Sequence, residues 1–260
     1  MGDGDEPFRY ATSAEKVMTE RTIAEILDAA AEEARRMDPP LSVRLQTVAD
    51  KVRALSPAFA DVIDRLIARL LDNGVGMTAP RAGEPMPPFL LPDEAGRLVS
   101  LPSLLEKGPV VVSFNRGHWC PYCRLSMDAL ARAETEIASI GAQVAAISPE
   151  ILPWAAELKT YARAPFHILS DLDNGYALEL NLLFWVGDEA RRAMSSAGVD
   201  LVRFQGNDAW MLPIPATFVI GADGVILSRY VDPDFRRRME IEDLIGALRT
   251  DAKRRADQAR

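Results

Sequence analysis

Five residues, Val110-Val111-Val112-Ser113-Phe114, run through a short loop into Trp119-Cys120-Pro121-Tyr122-Cys123, and helical spacing takes over from Leu125 to Ile140. An apolar run of that length reads as a strand buried on both faces, and the 3.6-residue period after it reads as a helix. A strand that hands over to a helix within one loop commits this stretch to an α/β layer. The loop also carries the only two cysteines of the chain. Two thiols at CxxC spacing beside a helix N-terminus form a redox arrangement, in which one sulfur attacks and the other resolves the product.

The remaining pattern divides the chain in two. Residues 1–79 carry helical spacing only. A first helix starts at a Ser13 cap and runs to Met37, with Val17, Ile23, Ile26, Leu27, Ala30 and Ala34 on one face; Asp38-Pro39-Pro40 breaks it. A second spans Leu41 to Leu55, and a third follows Ser56-Pro57 and ends at Asn73-Gly74. These helices hold no motif and are expected to be an extension for packing or for homodimer formation. Pro80, Gly83, Pro85, Pro87 and Pro88 form a linker. From residue 80 to 260 strands alternate with helices. Short strands are expected at Phe89–Leu91 and Leu98–Leu101, then at Val110–Phe114, Gln143–Ser148 and Phe166–Leu169, with helices at Ile151–Tyr161 and Asn174–Leu182. A hairpin of Thr217–Ile220 and Val225–Tyr230 and a helix at Ile241–Ala252 complete a mixed sheet with helices on both faces.

Composition narrows the function. The formal net charge of -8 argues against a nucleic-acid partner. No apolar stretch reaches the roughly 18 residues of a membrane span. The acidic start, Met1 to Glu6, has no apolar segment and does not read as a secretory signal, so a cytoplasmic redox protein is expected. A zinc site needs two ligands beyond the cysteines, and only His118 and His167 remain as histidines, so no metal and no cofactor is expected.

From about Pro80 to Gly246 the chain resembles the AhpC/TSA peroxiredoxins of the thioredoxin superfamily. The resemblance rests on Gly83 to Leu91, Pro109 to Cys123, Ser170-Asp171, and Pro213-Ile214-Pro215-Ala216-Thr217-Phe218 before Asp223-Gly224. Arg116-Gly117-His118-Trp119-Cys120-Pro121-Tyr122-Cys123 is similar to a peroxiredoxin-like subgroup with a thioredoxin-type CPYC motif. The resemblance implies a thioredoxin-like fold, a Cys120–Cys123 redox disulfide, hydroperoxide as substrate and a thioredoxin- or glutaredoxin-type electron donor. Ordinary members carry PxxxTxxC; here Arg116 falls on the Pro, Cys120 on the Thr and Cys123 on the peroxidatic Cys. Pro215 falls on their peroxide-binding Arg, where thioredoxins have a cis-proline, so a cis Ile214–Pro215 bond facing the dithiol is expected.

The site residues read as follows. By thioredoxin logic Cys120, at the exposed start of the turn, attacks and Cys123 resolves; by peroxiredoxin logic the roles reverse. Arg116 is the one nearby cation and either steadies a thiolate, orients a peroxide oxygen, or is a solvated strand-end residue. Trp119 shields the disulfide, Pro121 restricts its loop and Pro215 completes the substrate pocket. His118 is expected to point outward and His167 to be structural. Besides peroxide reduction, two alternatives stand: a thioredoxin-like protein disulfide reductase, and a non-catalytic redox sensor whose N-terminal helices bind a partner.

Overall fold

The computed structural model describes residues 22–38 and 40–258. The expected Ser13 cap lies outside the described residues. The described chain opens with α1 (Ile23–Arg35), α2 (Leu41–Leu55) and α3 (Pro57–Asp72). Thr22 caps α1: its hydroxyl accepts from Glu25 N while the Glu25 carboxylate accepts from Thr22 N. Pro57 sits at the first turn of α3, where its missing N–H costs nothing.

A hairpin of β1 (Leu90–Pro92) and β2 (Leu98–Ser100) leads to α4 (Leu101–Leu105) and β3 (Val110–Phe114). Then come α5 (Pro121–Ser139), β4 (Gln143–Ser148), α6 (Leu152–Ala162), β5 (His167–Ser170) and α7 (Gly175–Glu179). After them follow β6 (Leu183–Trp185), α8 (Asp188–Ser196), α9 (Leu201–Gln205) and β7 (Met211–Pro213). The chain closes with β8 (Ala216–Ile220), β9 (Ile226–Val231) and α10 (Ile241–Gln258). The main sheet has the order β5-β4-β3-β8-β9, with β3 parallel to β4 and antiparallel to β8. This is the mixed α/β, thioredoxin-like arrangement expected from the sequence.

Period-2 geometry splits β3 between two cores. Val110, Val112 and Phe114 join one cluster with Phe218, Tyr176 and Leu182, while Val111 faces Met127, Leu158, Val219 and Leu248 from α5, α6, β8 and α10. Helix α5 lies between layers. Met127, Leu130 and Ile137 meet the second cluster; Leu125 and Ala129 join Ala30, Ala34, Leu45 and Val48 of α1 and α2 in the first. Helices α1 and α2 therefore pack on α5 itself, and α3 packs on α8.

The elements between α7 and β8 were not read from the sequence. Strands β6 and β7 have three residues each and α9 five, too short for a period to show. The Asp171–Gly175 segment is a helix start: the Asp171 carboxylate accepts from Tyr176 N at 2.9 Å and Ala177 N at 2.8 Å. No described helix is long and apolar enough to cross a membrane.

Candidate active site

Strand β3 delivers the reactive loop. Asn115 N donates to Ile147 O at 2.8 Å, holding the strand end against β4. Gly117 then turns the chain at φ +137°, where a Cβ would run into the Glu150 carboxylate and the Trp119 indole. Cys120 is the N-cap of α5 and Pro121 begins the helix. The Cys120 sulfur caps no helix N–H and is left for other partners.

Both sulfurs are free thiols and both residues are 0% exposed. Arg116 Nη2 donates to Cys120 Sγ at 3.0 Å, and Arg116 N donates to Cys123 Sγ at 3.3 Å. Arg238 Nη2 reaches Cys123 Sγ at 3.5 Å. Neither guanidinium has a carboxylate partner among the described residues. Arg116 is clasped instead by aromatic faces, 3.4 Å from the Phe235 ring centre and 5.1 Å from that of Trp119.

The two thiols are driven apart electrically. Burial alone would push Cys120 up, but the hydrogen bond from Cys123 and the charges of Arg116 and Arg238 outweigh it, and the Cys120 thiol sits well below its ordinary value. Burial, the proton it shares with Cys120 and the charge on that neighbour push Cys123 well above its own. The site thus favours the thiolate on Cys120 and keeps the proton on Cys123.

Beside the CxxC loop lies a cavity of about 60 Å³. Its inner wall is Arg116, Trp119, Pro121, Tyr122 and Phe235; α1, α2 and α3 supply the outer wall through Leu27, Val52, Phe59 and Ile63. A buried, polarised CxxC thus stands at the start of α5, on a β3–α5 unit within a mixed five-stranded sheet. The AhpC/TSA family matches residues 82–229. This chain belongs to the AhpC/TSA family. It is accordingly a thiol-dependent oxidoreductase.

Solved structures agree on the fold of this AhpC/TSA protein. Peroxidoxin BcpB from Mycobacterium tuberculosis is 22% identical with a TM-score of 0.51, over 65% of this chain and 97% of that one. A cysteine-to-serine mutant of peroxiredoxin 6 from Arenicola marina is 15% identical with a TM-score of 0.52, over 65% and 72%. The 2-Cys peroxiredoxin of Plasmodium vivax is 14% identical with a TM-score of 0.51, over 65% and 81%. A search of curated proteins by sequence gives no match.

Four site expectations change. Cys120 is buried, not exposed: α1 and α2 pack on α5, in one cluster with both cysteines and Phe235, and Arg116 covers the Cys120 sulfur. Arg116 is buried and joined by a second cation, Arg238, which the sequence reading missed; it lies in the Asp234-Phe235-Arg236-Arg237-Arg238 stretch between β9 and α10, where charge density masks a single inward arginine. His118 turns inward: its Nδ1 lies 2.6 Å from Glu150 Oε1, its N donates to Glu150 Oε2 at 2.8 Å, and its ring stacks on Trp154. Burial pushes the Glu150 carboxyl up, and the His118 contacts only partly offset this. The Ile214–Pro215 bond is trans, since no described peptide is cis. Ile214 N donates to Leu182 O at 2.7 Å and Ala216 begins β8, so the chain runs on between two pairings in the form prolines ordinarily favour by about 0.5–1 kcal/mol.

The other expected residues sit near the loop. Pro215 is buried two residues before Thr217, which pairs with Ser113, and so lies beside the end of β3. Trp119 and Pro121 line the cavity. His167 is remote in role: it stands 3.3 Å from Asp93, whose carboxylate is held by Arg97.

Proposed function

We propose that this protein reduces small hydroperoxides, with Cys120 as the attacking thiolate and Cys123 as the resolving thiol. The observation that carries this reading is the Cys120 sulfur, which accepts a hydrogen bond from Arg116 Nη2 at 3.0 Å and another from the Cys123 thiol. The order is that of thioredoxin chemistry placed on a peroxiredoxin body. Cys120 S⁻ takes the terminal oxygen of ROOH and becomes a sulfenic acid, releasing RO⁻, which leaves as ROH once protonated. Cys123 then displaces hydroxide from that sulfur, forming the Cys120–Cys123 disulfide and, after protonation, water. A thiol reductant small enough to pass the cover restores the dithiol.

Burial argues against a protein disulfide as the substrate. A cavity of about 60 Å³ has room for a few water-sized groups and none for a polypeptide segment. Arg116 is placed to hold a peroxide oxygen as well as the thiolate. We read α1–α3 of the 1–79 extension as a layer that closes the site of the 80–260 unit, whose β3, α5 and β8 hold the chemistry. Stopped-flow oxidation tests the proposal: hydrogen peroxide should oxidise the reduced protein far faster than it oxidises a free thiol, while insulin stays unreduced. Oxidation no faster than that of a free thiol, with prompt insulin reduction, would sink it.

A further inference from the structure

We infer that Arg238 is the residue that turns Cys123 from a proton-holding thiol into the resolving nucleophile once Cys120 has been oxidised. The inference rests on the reading of Cys120 as the attacking sulfur and goes beyond it by assigning the second step its own cation. Arg238 follows the segment matched by the family, residues 82–229, in the connection between β9 and α10. It is 7% exposed. Its Nη1 donates to the carbonyls of Phe235 and Arg237, which fixes the guanidinium, and Nη2 points at Cys123 Sγ. Its Nε has no partner.

A buried guanidinium without a counter-charge is costly to keep. In the dithiol state the single thiolate is on Cys120, where Arg116 already sits. Arg238 then faces a neutral thiol. The groups that bear on the Cys123 sulfur are Cys120, Arg116 and Arg238. Oxidation removes the negative charge from Cys120 and leaves both arginines in place, together with Arg116 N at 3.3 Å from Cys123 Sγ. The Cys123 proton passes to the departing RO⁻, giving ROH, and Arg238 gains the thiolate as its counter-ion. That thiolate attacks Cys120 S–OH; the S–O bond breaks, the S–S bond forms, and hydroxide takes a proton from solvent. Each sulfur therefore has an arginine, used in turn.

The test is the fate of the sulfenic acid. Reduced wild-type protein, Arg238→Met and Arg238→Lys each receive one equivalent of hydrogen peroxide in the presence of dimedone, and adduct and disulfide are mapped by mass spectrometry. The ratio of adduct to disulfide is independent of how fast the first step runs. Arg238→Met should raise the adduct on Cys120 about tenfold or more, as loss of a charge beside a thiol shifts its ionisation by a unit or more. Arg238→Lys, which keeps the charge, should return the ratio toward wild type. If Met at this position prevents folding, Arg238→Gln retains a donor for the carbonyls without the charge and carries the same expectation. A wild-type ratio in the charge-free variant, or no rescue by Lys, overturns the role of Arg238 alone. An adduct on Cys123 instead overturns the underlying reading of which sulfur attacks.

Discussion

The α/β body and the α1–α3 layer contribute in opposite ways to one site. The body supplies the chemistry: β3 aims the loop, Gly117 turns it, and α5 begins at Cys120. Taken alone, this arrangement sets a CxxC at an open helix end, which is how the sequence reads. Among the described residues the layer adds no hydrogen bond to either sulfur; its apolar side chains face the cavity beside the CxxC loop and share one buried cluster with both cysteines. Burial strengthens the hold of Arg116 on the Cys120 thiolate, because a charge pair is worth more away from water. The comparison teaches that reactivity and access are set by separate parts of the chain.

The sharpest way to strain the body half is Arg116→Met. Arg116 holds Cys120 low, so the wild-type thiolate persists as pH falls and is lost only below the folded-state value; without Arg116 that loss comes at higher pH. Removing an opposite charge this close shifts a pKa by about 1–3 units, so peroxide oxidation near neutrality should slow about ten- to a hundredfold. Thiolate absorbance at 240 nm, followed against pH, checks the direction; an unmoved titration would show that Arg116 does not hold the charge.

The layer half is probed by Leu45→Ala, which removes a fully buried side chain of α2 at a cost of about 2–5 kcal/mol. If α1–α3 open as a local unit, alkylation of the reduced protein by a bulky maleimide should accelerate at least about tenfold. A lower melting temperature with unchanged alkylation would contradict the covering role.

Finer changes should separate the halves further. Ile63→Val trims one methylene from the outer wall of the cavity. The ratio of ethyl hydroperoxide to hydrogen peroxide oxidation rates should rise by up to about fourfold, as the freed space buries one more substrate CH₂. An unchanged ratio would place substrate access elsewhere. Glu150→Gln loosens the His118 contacts behind the loop. It should cost about 1–3 kcal/mol of stability in urea melts while leaving the oxidation rate within about twofold. A large loss of rate with unchanged stability would instead draw His118 into the chemistry.

The sequence made the sheet legible where burial wrote a strong pattern. Val110–Phe114 and Gln143–Ser148 are the strands as expected, because each is a short, mostly apolar run, and Leu41–Leu55 is the helix as expected, because it is long enough to show its period. It missed β6 and β7, whose three residues carry no period. Of the site, the dithiol and Arg116 could be read because they lie within eight residues of one another. Arg238 could not, since 115 residues separate it from Cys123 and only the fold joins them. The cover over Cys120 was hidden for a related reason: an apolar helix face looks the same whether it packs on ordinary core or on a reactive sulfur. Pro215 was read by analogy with thioredoxins, and the pairing of Ile214 with Leu182 carried the chain through that point in the trans form.

The central claim is that the buried Cys120 sulfur bears the charge and makes first contact with peroxide. Single serine replacements at the two cysteines, each given one equivalent of hydrogen peroxide under stopped flow, address it most directly. Cys123→Ser should still react rapidly and stop at a sulfenic acid on Cys120, whereas Cys120→Ser should stay inert. Rapid reaction of Cys120→Ser, with the sulfenic acid on Cys123, would contradict the account.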